Sequence, residues 1–265
     1  SNENYSQYSF VTNINAGQLL PENWGLQIPV SYTYTEEITK PKYDSYYNDI
    51  ELDDILDITN NRDSIMNQST MLSNSKSFSV LGLSKRKTNQ KKSRIYDLEN
   101  LNLSYSYSEN NFQDFEMEYS DRKMVMANAQ YSYNFESLNV FPFESFFKNK
   151  DSKYLKWLKE FNFNPLPNSL IFSGNFNRTL YKQKFREINY SGIISNSQIP
   201  IPEFTQAKFM FDWLMSISHN VSRSLVINYN ASNSSLVPSF SKEMDINERN
   251  RMELFDNFFN VGQSN

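Results

Sequence analysis

The chain has 265 residues, 30 acidic and 26 basic for a formal charge of −4, and 15% of it is aromatic. That balance gives nucleic acid no electrostatic footing, since such a partner needs a basic surface. Cysteine is absent, which excludes a disulfide framework, thiolate chemistry and cysteine-ligated zinc. No apolar run reaches the roughly 18 residues that a membrane-crossing helix needs.

The opening residues, Ser1-Asn2-Glu3-Asn4-Tyr5, have no basic n-region, no apolar h-region and no Met. They read as the edge of a segment from a longer chain rather than as a signal peptide. Tyr8 to Ile14 is a short strand candidate, and Pro21-Glu22-Asn23-Trp24-Gly25 is a turn into a strand from Leu26 to Ile38. Pro29 lacks a ladder donor, so it predicts an entry end, an edge or a bulge. The pattern breaks over residues 39–73, read as a long aqueous loop with a short acidic helix near residues 49–56.

Strand pattern returns at Ser75 to Leu83 and runs into Lys85-Arg86-Lys87 and Lys91-Lys92. That basic run is read as a solvated turn, with a phosphate or lipid-headgroup contact as the sharper alternative. Ile95 to Ser108 is the clearest strand, and Phe112 to Tyr119 is either its antiparallel return or a loop. Met124 to Phe135 follows, with a change of phase between Met126 and Tyr131 that predicts a bulge or a different start to the strand. Residues 153–161 place Tyr154, Trp157, Leu158 and Phe161 on one helical face. Such a short amphipathic helix either lies in a membrane interface or packs on a sheet.

Leu170 to Asn177 opens another strand, Phe185 to Tyr190 is a candidate return, and residues 182–205 are read as a second long loop. Ala207 to His219 and Arg223 to Ala231 flank the short hairpin loop Asn220-Val221-Ser222. The remainder from Ser232 reads as a polar tail with a few late apolar residues. Seven to nine strands are expected, with about one apolar residue for each small polar one, the period of a strand with two unlike surroundings.

The second face carries Ser, Thr and Asn in place of the charges usual in a soluble sheet. This fits a transmembrane antiparallel β-barrel, an all-β fold with lipid outside and a polar interior. The residues expected to face lipid are Tyr32, Tyr34, Leu101, Leu103, Tyr105, Tyr107, Tyr131, Tyr133, Phe172, Phe176, Phe211, Trp213, Met215, Leu225, Ile227 and Tyr229.

Catalytic chemistry finds little material. His219 is the sole histidine, beside a hairpin loop, and reads as a turn residue rather than a metal ligand or triad member. Asp53 with Asp54, and Glu116 with Glu118, have the spacing of paired acids or calcium ligands. Both pairs lie in polar stretches where carboxylates are ordinary. Six glycines leave no phosphate-cradling loop. No catalytic, metal-binding or cofactor-binding residue is therefore assigned, and no enzyme is expected.

Three long strings carry a family resemblance: residues 20–32 with Pro41-Lys42-Tyr43-Asp44, residues 96–107, and residues 161–169. From about residue 9 to 230 the chain resembles the SprA/Sov family, the giant outer-membrane translocon of the type IX secretion system in Bacteroidetes. The resemblance implies a single barrel of about 36 strands, of which residues 1–265 would be one arc of wall. It implies export of folded cargo proteins, support of gliding motility and placement in the cell outer membrane. The implied partners are a PorV-type outer-membrane barrel, a periplasmic plug protein, a periplasmic peptidyl-prolyl isomerase, secreted cargo and outer-membrane lipid.

An arc of this kind, expressed alone, would need its missing strands or aggregate. The rival expectations are a smaller outer-membrane porin or receptor barrel and a soluble all-β surface binding protein. A β-rich enzyme ranks last.

Overall fold

The computed structural model describes residues 3–47, 49–88, 92–143, 161–187, 201–222 and 224–239. Among these residues nine strands form one sheet: β1 (Glu3–Asn15), β2 (Leu26–Gln27), β3 (Pro29–Pro41), β4 (Met71–Lys85), β5 (Leu101–Gln113), β6 (Met117–Asn134), β7 (Ser169–Phe185), β8 (Phe204–Asn220) and β9 (Val226–Ser239). The spatial order is β1-β3-β4-β5-β6-β7-β8-β9, every neighbour antiparallel, with the two-residue β2 pairing β4 beyond the end of β3. Antiparallel meanders of this kind follow from strands joined in sequence order.

The all-β antiparallel architecture stands; the expected transmembrane barrel does not. Closure requires the last strand to pair with the first. Among the described residues β1 pairs only with β3 and β9 only with β8, so the sheet they form is open at both ends and encloses no lumen. The edge strand β1 is exposed along its length apart from a half-buried Thr12. The strands are long, reaching 18 residues in β6, or about 60 Å at the usual rise.

Several local expectations are corrected. Residues 39–73 are not one loop: β3 runs through Pro41, β4 begins at Met71, and two helices lie between them. The first, α1 (Leu52–Ile58), includes part of the expected acidic helix and buries Leu52 and Leu56. The second, α2 (Arg62–Ser69), has no apolar stripe to announce it.

The interval 182–205 is likewise cut back, since β7 continues to Phe185 and β8 starts at Phe204. No bulge separates Met126 from Tyr131. β6 is continuous there, and Met124 and Met126 belong to the polar face while Tyr131 belongs to the other. The register shift in β6 lies instead between Met117 and Tyr119.

A second shift lies between Leu81 and Leu83 on β4. Gly82 is the extra residue, at φ +80°, where a side chain would be strained. Its N–H donates to Ser104 Oγ at 3.0 Å, so the unpaired amide keeps a partner. The shift returns Leu83 to the apolar face beside Leu103.

Pro29 opens β3, one of the three placements its missing donor allows. The expected helix at 153–161 lies outside the described residues except for Phe161, which is exposed.

Candidate functional site: the two faces of the sheet

Strand alternation and the pairing register sort the side chains into two faces. One row of the polar face runs Asn13, Ser31, Ser79, Ser106, Met126, Asn177, Met210 and Leu236 from β1 to β9. The next apolar row runs Ile14, Val30, Val80, Tyr105, Ala127, Phe176, Phe211 and Ser235. The strand residues expected to share an apolar face do so. Leu225, the one exception, lies in the β8–β9 turn.

On the polar face, side chains bond across strands. Ser31 Oγ donates to Asn13 Oδ1 at 2.6 Å, and Ser75 Oγ to Asn110 Oδ1 at 2.8 Å. A longer chain links three strands, with Asn128 Nδ2 donating to Asn175 Oδ1 and Asn175 Nδ2 to Asp212 Oδ2 at 2.6 Å. Such cross-strand pairs fix register without needing apolar burial.

Between β6, β7 and β8 this face forms a half-enclosed hollow of about 560 Å³. Arg122, Lys208, Tyr181 and Gln206 stand around it, with Met124 and Met210 among its apolar members.

The apolar face is largely uncovered. Tyr32, Phe78, Tyr105 and Tyr229 are 38%, 39%, 42% and 49% exposed. Among the described residues its strands bury side chains only toward β7, β8 and β9: Trp213 is 8% exposed, stacked on Phe172 at 6.2 Å, and faces Gly174 across the ladder. Small Ala127, Ala129 and Gly174 floor an apolar hollow of about 590 Å³ walled by Tyr105, Phe172, Phe176 and Phe211.

The upper border is charged. Lys123 Nζ lies 3.4 Å from Glu109 Oε1, and the Tyr107 hydroxyl donates to Glu109 Oε2 at 3.1 Å. Tyr34 likewise donates its hydroxyl to Glu36 and accepts from Asn74 Nδ2 at 3.0 Å.

The residues weighed for chemistry are dispersed. His219 Nε2 is 2.7 Å from the carbonyl oxygen of Asn164, an acceptor, so the ring N–H donates. Asn164 is buried; its Oδ1 accepts from the Leu138 and Leu166 amides, and its N–H donates to the Val221 carbonyl. His219 thus belongs to a clamp holding three connecting segments at one end of the sheet. No local pattern announces this clamp, because its members lie far apart along the chain.

Asp53 and Asp54 are exposed on α1, Glu118 pairs with Lys184 at 2.7 Å, and Glu116 is exposed in the β5–β6 turn. Among the described residues no group of three or more metal-ligating side chains forms.

The basic run is pinned locally. Lys85 lies 4.0 Å from Glu99, Lys92 lies 2.8 Å from Glu136, and the Arg86 amide donates to the Gly25 carbonyl at 2.6 Å. The Glu136 carboxylate raises the Lys92 ammonium above its ordinary range, and Glu51, 2.9 Å away, does the same for Lys42.

Comparison with known proteins adds one match. Residues 1–56 fit the family model SprA_N, described as a motility related/secretion protein. No curated protein matches the chain. The resemblance read over residues 9 to 230 is therefore supported only through residue 56, across β1, β3 and the start of α1. The expected type IX translocation pore is corrected accordingly: the matched part is short, and the open sheet forms no closed translocon barrel.

Proposed function

We propose that this chain is an all-β binding segment of a motility- and secretion-related protein, held at the cell outer membrane. One observation carries the reading. A single sheet turns an uncovered aromatic face to one side and a charge-poor Ser/Thr/Asn face to the other. Uncovered apolar area on this scale favours a covering partner, because leaving it in water forgoes roughly 25 cal/mol per Å².

Outer-membrane lipid suits the aromatic face, whose Leu101-to-Tyr107 band on β5 rises about 20 Å. The polar face suits a protein partner that exchanges hydrogen bonds without burying charge. A PorV-type barrel, a plug protein, an isomerase and secreted cargo are the partners implied for it. No catalytic role is assigned.

Residues 1–265 contain no cysteine, so an introduced one is the sole label site within them. Phe78→Cys and Ser77→Cys, neighbours on opposite faces, are introduced into the full-length protein in cell envelopes and labelled. A bimane at position 78 should be quenched by brominated lipid and shielded from iodide. Position 77 should react with a charged maleimide and be protected when partners are present. Equal aqueous access at both positions would overturn the outer-membrane placement, and no partner-dependent protection at 77 would overturn the binding role.

A further inference from the structure

We infer that the hollow between β6, β7 and β8 on the polar face is a binding site for an oxyanion, carboxylate or phosphate, carried on a partly apolar ligand. The register brings its parts together: Arg122, Tyr181 and Gln206 share one row, and Met124, Thr179 and Lys208 the next. Arg122 and Lys208 thus stand two strands and one row apart, about 12 Å between Cα atoms from strand spacing and rise. Long cationic side chains at that separation can reach one ligand from both sides.

Among the described residues no carboxylate lines the hollow. None of the ion pairs among the described residues uses Arg122 or Lys208. The nearest acid along β8 on this face, Asp212, is already engaged by Asn175.

Two cations without an ion-pair partner among the described residues, beside the Gln206 amide, offer an oxyanion charge-assisted and neutral hydrogen bonds together, while the Tyr181 and Thr179 hydroxyls are already donated to Gln183 and Asn177. Tyr181 is held in place by its own hydroxyl, which donates to Gln183 Oε1 at 2.6 Å and accepts from Ser120 Oγ at 3.3 Å. Met124 and Met210 supply soft apolar contacts for the ligand's uncharged part. At about 560 Å³ the hollow falls in the size range of small-ligand sites. Because both cations are exposed, binding is expected to weaken as salt rises.

The test uses the full chain with 13C-methyl methionine, whose nine methyl groups include the two reporters at Met124 and Met210. It is titrated at constant ionic strength with pyrophosphate and, separately, with N-acetyl-glutamyl-glutamate. Saturable shifts confined to Met124 and Met210 are expected with at least one probe, and the tighter probe identifies phosphate or carboxylate as the source. The double variant Arg122→Gln/Lys208→Gln should weaken that binding at least tenfold. Lys208→Arg should retain it, which separates loss of charge from loss of fold. Linear shifts, shifts spread over all methionines, or undiminished binding by the double variant would overturn the proposal.

Discussion

The two faces of the sheet share every backbone hydrogen bond, yet they are held to their register in different ways. On the polar face, Asn128, Asn175 and Asp212 link three strands through directional side-chain bonds. On the apolar face, Trp213 covers Gly174 and stacks on Phe172, a contact of shape rather than direction. Toward β3 and β4 neither face has much cover: Phe78 is 39% exposed, and the serines opposite it make small contacts. Order thus rests most heavily on β6 to β8, where both means of holding the sheet coincide.

Removing the shape contact should cost most. Trp213→Ala is expected to destabilise the chain by about 3–5 kcal/mol, as truncating a large buried aromatic does, read as a shift in the denaturant midpoint by circular dichroism. Asn175→Ala leaves Asn128 and Asp212 without their shared partner and should cost about 1–3 kcal/mol. If that variant proves as damaging as Trp213→Ala, the polar ladder, not the aromatic cluster, fixes the central strands.

On the less covered half the contrast should shrink. Phe78→Ser is expected to lose about 1 kcal/mol of partial burial, and Ser77→Ala to stay within about 0.5 kcal/mol.

The smallest effect tests a loop as a reference outside both faces. Glu51 raises the Lys42 ammonium, so that pair stabilises fully below the lysine's ordinary range and is lost as pH rises through the elevated value. The stability gap between wild type and Lys42→Met should therefore be small and should close in strong alkali. A gap that persists there would mean that the pair contributes through packing instead of charge.

Much of the sheet was legible because alternation leaves a mark on sequence. Val30 to Thr35, Leu101 to Ser108 and Phe209 to Ile217 all lie in strands, with their faces correctly sorted. Their reach was underestimated wherever the pattern blurred, as in β7, where Arg178, Leu180 and Lys182 continue the apolar side past Phe176. The apparent phase break in β6 came from Met124 and Met126, apolar residues standing on the polar face.

Helix α2 escaped because nothing in Arg62–Ser69 repeats at helical spacing. The anion hollow and the Asn164–His219 clamp escaped for a different reason. Arg122 meets Lys208 only through the register of β6, β7 and β8, and register is not readable from single strands. The barrel reading failed on the same ground, since alternation describes a strand's two faces and says nothing of what pairs with the first and last edges.

The turn between β5 and β6 has a consequence in time as well as in space. It spans only residues 114–116, and Asp114 closes it twice: its amide donates to the Met117 carbonyl at 3.1 Å, and its carboxylate accepts from the Met117 amide at 2.7 Å. The other links between neighbouring long strands are longer, from residues 221–225 up to residues 135–168. Loop closure favours the short one, and hairpins form within about 1–10 μs. The β5–β6 hairpin is therefore the natural first-formed unit, from which the sheet grows outward one strand at a time, so that the two exposed edges are the last to be ordered.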